Sequence, residues 1–447
     1  MDFGRPLHAP ATQTLRPTLG TREAAAITIG IVIGAGVFRT PSLVAGGAAS
    51  EAAVLLAWAA GGLISIIGAL CYAELASAYP SAGGDYHFLT RAFGRRLSFL
   101  YAWARLSVIQ TGSIALLAYV FGDYASEIVN LGPYSSAIYA AAVVIALTAV
   151  NWIGVHAGAR TQNWLTLVEV GGLVALIVTG LLVAPAGAPS PSNAQTTSVG
   201  LIMVFVLLTY GGWNEAVFVS AELKDARKRM APVLVLSLVL ITGLYLLANA
   251  AYLRVLGLGG VAASEAVAAD VMRLAYGAPG AVAISALIAV SALTSANATA
   301  FTGARTAYAL GCQHCALAFL GCWNEKSATP GNALLVQGAA ALALVVVGAF
   351  ARSGFQVAVE YTAPVFWFFF LMVGLSLFVL RRREPQVERP FKVPFYPVLP
   401  VIFCLTNAYL LYSSLAYTGV GALVGVAVLG LGIVALFFVE RTRETAR

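Results

Sequence analysis

Two glycine clusters carry the most chemistry in this sequence. One is Gly30-Ile31-Val32-Ile33-Gly34-Ala35-Gly36-Val37-Phe38, the other Leu208-Thr209-Tyr210-Gly211-Gly212-Trp213-Asn214, and each lies inside a long apolar run. Glycine weakens a helix by roughly 1 kcal/mol per residue relative to alanine. In lipid the amides and carbonyls released by an unwound turn find no water, so such a turn persists only where it lines a cavity. Taken alone, Gly30 and Gly34 also read as a GxxxG packing face. A break would present free amides and a positive helix-dipole end to an anion such as a carboxylate, and free carbonyls to an ammonium group. Donors for a carboxylate beside acceptors for an amine make a zwitterion site. The natural ligand is an α-amino acid.

The elements that must hold these clusters follow from composition. Of 447 residues, 60% are hydrophobic and 10% charged, against about 25% charged in a soluble domain. With a mean hydropathy of +0.85, most of the chain faces something other than water. That excludes an ordinary soluble enzyme and a disordered regulator, and five cysteines are too few for a disulfide-stapled secreted module. The expectation is an all-α integral membrane protein. Runs of about 20 apolar residues occur near 24–46, 52–78, 98–121, 136–154, 162–184, 199–221, 232–254, 281–310, 331–350, 358–380, 396–416 and 419–439. The first twenty residues hold no continuous apolar stretch, so no cleavable signal peptide is expected.

The basic residues give the orientation. Of 26 Lys and Arg, 20 fall in the N-terminus, the C-terminus or connections after even-numbered spans, and only Arg254, Arg273 and Arg352 lie on the other side. The positive-inside rule then puts both termini in the cytoplasm of a cell membrane. The net charge of +7 is thereby a topology signal, and no nucleic-acid partner is expected. The partners are the lipid bilayer and the substrate. Two short segments outside the spans have apolar stripes: Val267, Val271 and Leu274 after a Ser264 cap, and Tyr86, Leu89 and Phe93. Both are expected to be helices on the bilayer surface or, alternatively, gating lids.

The two clusters sit in spans 1 and 6, five spans apart. Interrupted helices at matching positions of two halves mark a transporter site. The chain then divides into a tail (1–23), a first repeat of spans 1–5 (24–184), an inverted second repeat of spans 6–10 (199–380), spans 11 and 12 (396–439), and a tail (440–447).

At these residues the sequence resembles the amino acid–polyamine–organocation transporter superfamily, in particular its L-type amino acid transporter branch, over nearly the whole chain. Ile33-Gly34-Ala35-Gly36-Val37-Phe38 is similar to the family's I-G-S-G-I-F, with alanine in place of serine. Cys71-Tyr72-Ala73-Glu74-Leu75, Tyr79-Pro80 and Gly83-Gly84-Asp85-Tyr86 match a family signature. So do Tyr210-Gly211-Gly212-Trp213-Asn214, Glu222-Leu223-Lys224-Asp225 and Arg389-Pro390-Phe391-Lys392-Val393-Pro394. The resemblance implies that amides of Gly34, Ala35 and Gly36 hold a substrate carboxylate. It implies that carbonyls of Val32, Leu208 and Gly211 hold the amine, and that Tyr210, Trp213 and Asn214 form gate or pocket wall. Ala35 lacks the usual hydroxyl, leaving the carboxylate to backbone groups.

An ionisable group inside a span is a functional candidate by default. Glu74 reads as an anchor or gate ion-pair partner. Glu215 follows the span 6 break and is expected to face a polar vestibule, with Arg39 as its partner across the entrance. Arg105 is expected to snorkel to the cytoplasmic face. Glu169, in mid-span 5, stands where the resembling family usually has lysine. It could carry a proton as a neutral buried acid, hold a cation such as sodium with Ser291, Thr294 or Ser295, or make a structural hydrogen bond only. Asn297 of the polar span 8 could reach the site. Proton symport, sodium symport, obligatory exchange and a non-transporting sensor all remain open, and neutral amino acids are the favoured substrates.

Other motifs are weaker. Gly34-x-Gly36 lacks the third glycine of a dinucleotide fingerprint, Arg39 standing in its place. Cys312-Gln313-His314-Cys315 has no second ligand pair at zinc spacing. No cofactor, metal or catalytic residue is expected.

Overall fold

The computed structural model describes residues 21–81, 83–154, 159–183, 198–215, 225–325, 327, 329–351, 353–417 and 420–444. Arg5, Arg16, His8, His156, Glu222, Leu223, Lys224, Lys326, Arg352 and Arg447 lie outside these residues.

Span 1 is two helices, α1 (Thr21–Val32) and α2 (Gly36–Gly47), and span 2 is α3 (Glu51–Ala78). A connecting helix, α4 (Gly84–Phe93), leads to span 3, which is α5 (Arg95–Ala104), a π-turn (Arg105–Ile109) and α6 (Gln110–Ile128). Spans 4 and 5 are α7 (Ser135–Ile153) and α8 (Ala159–Leu182), and α9 (Val199–Thr209) opens span 6. Spans 7 to 12 are α10 (Ala226–Ala263), α11 (Val267–Gln313), α12 (Gly331–Ala349), α13 (Gly354–Arg383), α14 (Val398–Tyr417) and α15 (Val420–Glu444). Among the described residues eight helical stretches are long and apolar enough to cross a membrane, and three apolar helices are shorter. With the α1–α2 pair they account for the twelve expected spans.

The arrangement is the 5+5 inverted-repeat transporter fold with spans 1 and 6 discontinuous. Its two most extensive helix pairings join spans five apart, α10 running along α3 and α11 along α6, and α2 also lies against α9 and α10. Lipid tails give no hydrophobic drive between helices, so close backbone approach supplies the attraction. Gly61 shows how: a Cβ there would stand 3.1 Å from the Tyr210 ring. Serines start three helices at the end of the bundle away from the basic connections. Ser50, Ser198 and Ser353 accept from the amides of Ala53, Leu201 and Gln356 at 3.2, 3.3 and 3.3 Å, satisfying donors that helix geometry leaves free.

Both connecting helices differ from expectation. Neither turns its stripe to lipid. Leu89 is fully buried, Tyr86 and Phe93 are half-buried, and α4 packs on α5 and α13. The Val267 helix runs on through a turn at Gly277 (φ 70°) into span 8. Val267 and Val271 are fully buried, with only Leu274 exposed. Ser264 accepts from the Ala266 amide at 3.2 Å and donates to Asp270 at 2.6 Å. Arg273 on this helix pairs with Glu127 at the end of α6. Protein offered the stripes closer packing than the bilayer surface did.

Candidate functional site

The two breaks meet. Ile33, Gly34 and Ala35 separate α1 from α2, and Tyr210 to Asn214 follow α9 as turns. Gly212 has φ of 101°, which L side chains rarely adopt, and a Cβ there would stand 3.0 Å from the Ile31 carbonyl oxygen. A Cβ on Gly36 would come 3.2 Å from Thr209. Thr209 in turn donates to Thr40 at 2.8 Å. Gly34 is different, because a Cβ there would meet nothing within 4 Å, although Ile33 and Ala35 beside it are fully buried. A hollow therefore opens onto the backbone at Gly34, at the first turn of α2, where amides have no intrahelical acceptor.

Of the carbonyls expected to face an amine, Val32 accepts the Gly34 amide at 2.9 Å and the Tyr245 hydroxyl at 2.8 Å. Leu208 accepts the Gly211 amide at 3.0 Å. Gly34 and Val32 thus satisfy each other in this conformation. Tyr210 is fully buried, bonds the Trp58 carbonyl at 3.0 Å and stacks with Trp58 and Tyr245. Trp213 lies on Tyr72 and Phe370, with centroids 5.0 and 5.7 Å away. These rings pack around the span 6 break. Asn214 is buried beside it.

The intramembrane charges are paired differently from expectation. Arg39 binds Asp123 of α6 at 3.0 Å, not Glu215. The reason is direction: α2 carries Arg39 from its break toward the end opposite the basic connections, whereas Glu215 follows its break toward the basic end. Arg105 does not snorkel. It is 5% exposed and donates to Glu215 at 2.8 Å and to the Tyr101 hydroxyl at 3.1 Å. The π-turn at Arg105–Ile109 shifts helical register and turns the side chain inward. Glu215 therefore faces a guanidinium, although a third of its side chain remains accessible. Glu74 is an anchor. It accepts from Arg381 at 2.6 Å and from the Val393 amide at 2.7 Å, with Arg389 3.7 Å away. One carboxylate thus ties the span 2 signature to the Arg389–Pro394 motif.

Glu169 is buried and accepts a hydrogen bond from Ser291. The two line an otherwise apolar recess between α8 and α11 with Val168, Ala286, Leu287 and Val290. Thr294 bonds back to the Ser291 carbonyl at 2.9 Å, and Ser295 is half-buried, its own carbonyl accepting from Thr299. Asn297 turns to α7, where Asn151 donates to it at 2.7 Å. The structure brings Val32, Gly34, Ala35, Gly36, Leu208, Tyr210 and Gly211 to one place; Glu169 with Ser291, and Asn297, lie on separate faces.

Sequence reading missed Tyr245. Its hydroxyl bonds Val32 and also lies 3.4 Å from the Thr209 carbonyl, so one side chain spans both breaks. A tyrosine between Leu244 and Leu246 looks like packing, and no local signal marks it. Among the described residues no cluster of three His, Cys, Asp or Glu is placed to hold a metal. Cys312 and Cys322 are free thiols, and His314 packs on Phe99.

The family described as Amino acid permease matches residues 19–445. The b(0,+)-type amino acid transporter 1 of Mus musculus is 30% identical over 418 residues, covering 90% of this chain and 84% of that protein. The human protein of the same name is 28% identical over 91% of this chain and 84% of its own length. The Large neutral amino acids transporter small subunit 2 of Homo sapiens is 29% identical over 95% of this chain and 80% of its own length.

Proposed function

The chain belongs to the amino acid permease family, and on that premise we propose that it is a secondary-active carrier moving a neutral α-amino acid by alternating access. The observation that supports this reading is the hollow in front of Gly34, between two breaks held together by Gly212 and Tyr245. The substrate carboxylate sits on the amides of Gly34, Ala35 and Gly36. The ammonium replaces existing donors on the carbonyls of Val32, Leu208 and Gly211, which requires the bend at Gly34 to open. Trp213 and Asn214 form the wall toward the basic end, which faces the cytoplasm together with both termini; the membrane is the cell membrane. The first and second groups of five spans act as two inverted halves around this point.

Coupling runs through a proton on Glu169. A buried carboxyl whose partner is a serine hydroxyl in an apolar recess suits a group that cycles between charged and neutral forms. A sodium site needs several converging oxygens, and the Thr294 hydroxyl is already turned back on its own helix. The related small subunit is by its name one part of an assembly. Here the five cysteines lie in spans 2 and 11 and at the basic end, so any subunit on the far side is held without a disulfide.

Purified protein in liposomes tests the reading with a labelled panel of amino acids. The expected result is accumulation in empty vesicles under a proton gradient, with the dependence on external pH flattened by Glu169→Gln. Uptake only into preloaded vesicles makes the protein an exchanger and removes Glu169 from coupling. A sodium requirement overturns the proton.

A further inference from the structure

Between the span 6 break and the basic end, four elements converge on one buried carboxyl that the transport site does not use. Asp85 of α4 is 2% exposed. Its Oδ2 accepts from the Tyr101 hydroxyl of α5 at 3.2 Å, and its Oδ1 has no hydrogen-bond partner. The Tyr72 hydroxyl of α3 faces it without reaching hydrogen-bond geometry. Tyr101 accepts in turn from Arg105, which also holds Glu215. With its amide turned to satisfy both groups, Gln110 accepts from the same guanidinium at 2.9 Å. Two carboxylates thus lean on one guanidinium, Glu215 directly and the buried Asp85 through Tyr101. The cluster is one negative charge in excess.

The surrounding groups do not cancel that charge. From α13, Glu384 pairs with Arg91 at 2.9 Å and Arg383 bonds the Ala92 carbonyl at 2.8 Å, both at the far end of α4. His87, on α4 itself, is held below the ordinary histidine range by burial and by Arg91. Burial pushes Asp85 up to about 7, Glu215 adds to the rise, and Arg105 and Tyr101 oppose it.

We infer that Asp85 is a proton-binding site that latches the basic end of the bundle, taking up one proton as that end closes and releasing it as that end opens. Closing removes water from the carboxylate, and a proton from the bathing solution restores charge balance as the neutral acid. Opening separates α4 from the span 6 break, hydrates the group and returns the proton to water. The sign follows from linkage. The closed form binds the proton more tightly than a hydrated carboxylate does, so it gains as pH falls below about 7. The closed-to-open ratio then rises by up to tenfold per pH unit, until the ordinary carboxylate range is reached.

pH-difference infrared spectroscopy on the purified protein in lipid vesicles reads the proton without any need for transport, so this arm is independent of the carrier reading; only the uptake arm rests on it. With Glu169→Gln as the background, so that the other buried carboxyl proposed to carry a proton is silent, a protonated-carboxyl band titrating near neutrality is expected, and it is lost when Asp85→Asn is added. Glu215→Gln removes a charge that favours the proton, so it moves the midpoint to lower pH. Uptake of labelled neutral amino acids in the same Glu169→Gln background is expected to slow as internal pH falls from about 8 to about 6. With Asp85→Asn added it is expected to stay at its acid-side rate throughout. A titrating band that survives Asp85→Asn in that background, or a midpoint unmoved in Glu215→Gln, overturns the latch. Should Asp85→Asn fail to fold, Glu215→Gln and Glu169→Gln still decide.

Discussion

At the span 1 break Ala35 keeps ordinary right-handed angles (φ −58°, ψ −15°), and Gly34 faces open space. At the span 6 break Gly212 sits at φ 101° against the Ile31 carbonyl, and Tyr210, Trp213 and Asn214 are all buried in protein. Both are glycine-rich interruptions of apolar helices, yet one leaves a vacancy and the other fills it. The span 1 glycine leaves space beside its backbone, and the span 6 glycine lets the chain turn tightly against that of span 1. In the proposed reading, similar sequence supplies a seat for the ligand at one break and a wall behind it at the other.

That contrast breaks most readily at Gly34. Gly34→Val places a side chain in the hollow, its Cβ meeting nothing within 4 Å, so substrate affinity is expected to fall at least about 100-fold while the melting temperature stays within a few degrees. Tryptophan fluorescence titration and a thermal melt of the same sample measure both, and unchanged affinity sinks the backbone seat. Gly212→Ala should do the reverse. A left-handed angle costs an L residue roughly 1–2 kcal/mol, to be seen as a lower melting temperature with substrate affinity changed less than at Gly34. Tyr245→Phe sharpens the comparison, because it cuts the hydroxyl shared by the two breaks. One buried hydrogen bond is worth about 1 kcal/mol, or roughly fivefold. That loss is expected in binding, in isothermal titration with amino acids, and an unaltered constant separates the breaks energetically.

A test away from the breaks calibrates the scale. Removing one partner of a buried ion pair costs about 3–5 kcal/mol. Glu74→Gln should therefore destabilise the protein more than any break variant, without selecting between substrates.

Helix positions were legible because a membrane leaves the backbone few options, and runs such as 52–78 or 331–350 reappear as α3 and α12 almost residue for residue. The broken spans were legible too, because two glycine clusters stand five spans apart, at matching positions of two halves, which a packing face alone does not require. Partner choice was not. Arg39 was expected to reach Glu215 and instead binds Asp123, and Arg105 was expected at the surface and instead lies buried against Glu215. Those pairings depend on which way each half-helix runs from its break, and on a π-turn that periodicity does not announce.

The sequence by itself determined the class of molecule, its twelve apolar spans, the two interruptions and the asymmetry of its basic residues. These follow from composition and from the cost of unsatisfied backbone in lipid, which act locally. Only the tertiary structure decided that Tyr245 joins the breaks, that Arg105 holds Glu215 directly and Asp85 through Tyr101, and that the connecting helices face protein. Each joins residues distant in the chain, with atoms a few ångströms apart. Such proximity is set by how twelve helices pack, and no stretch of sequence contains it.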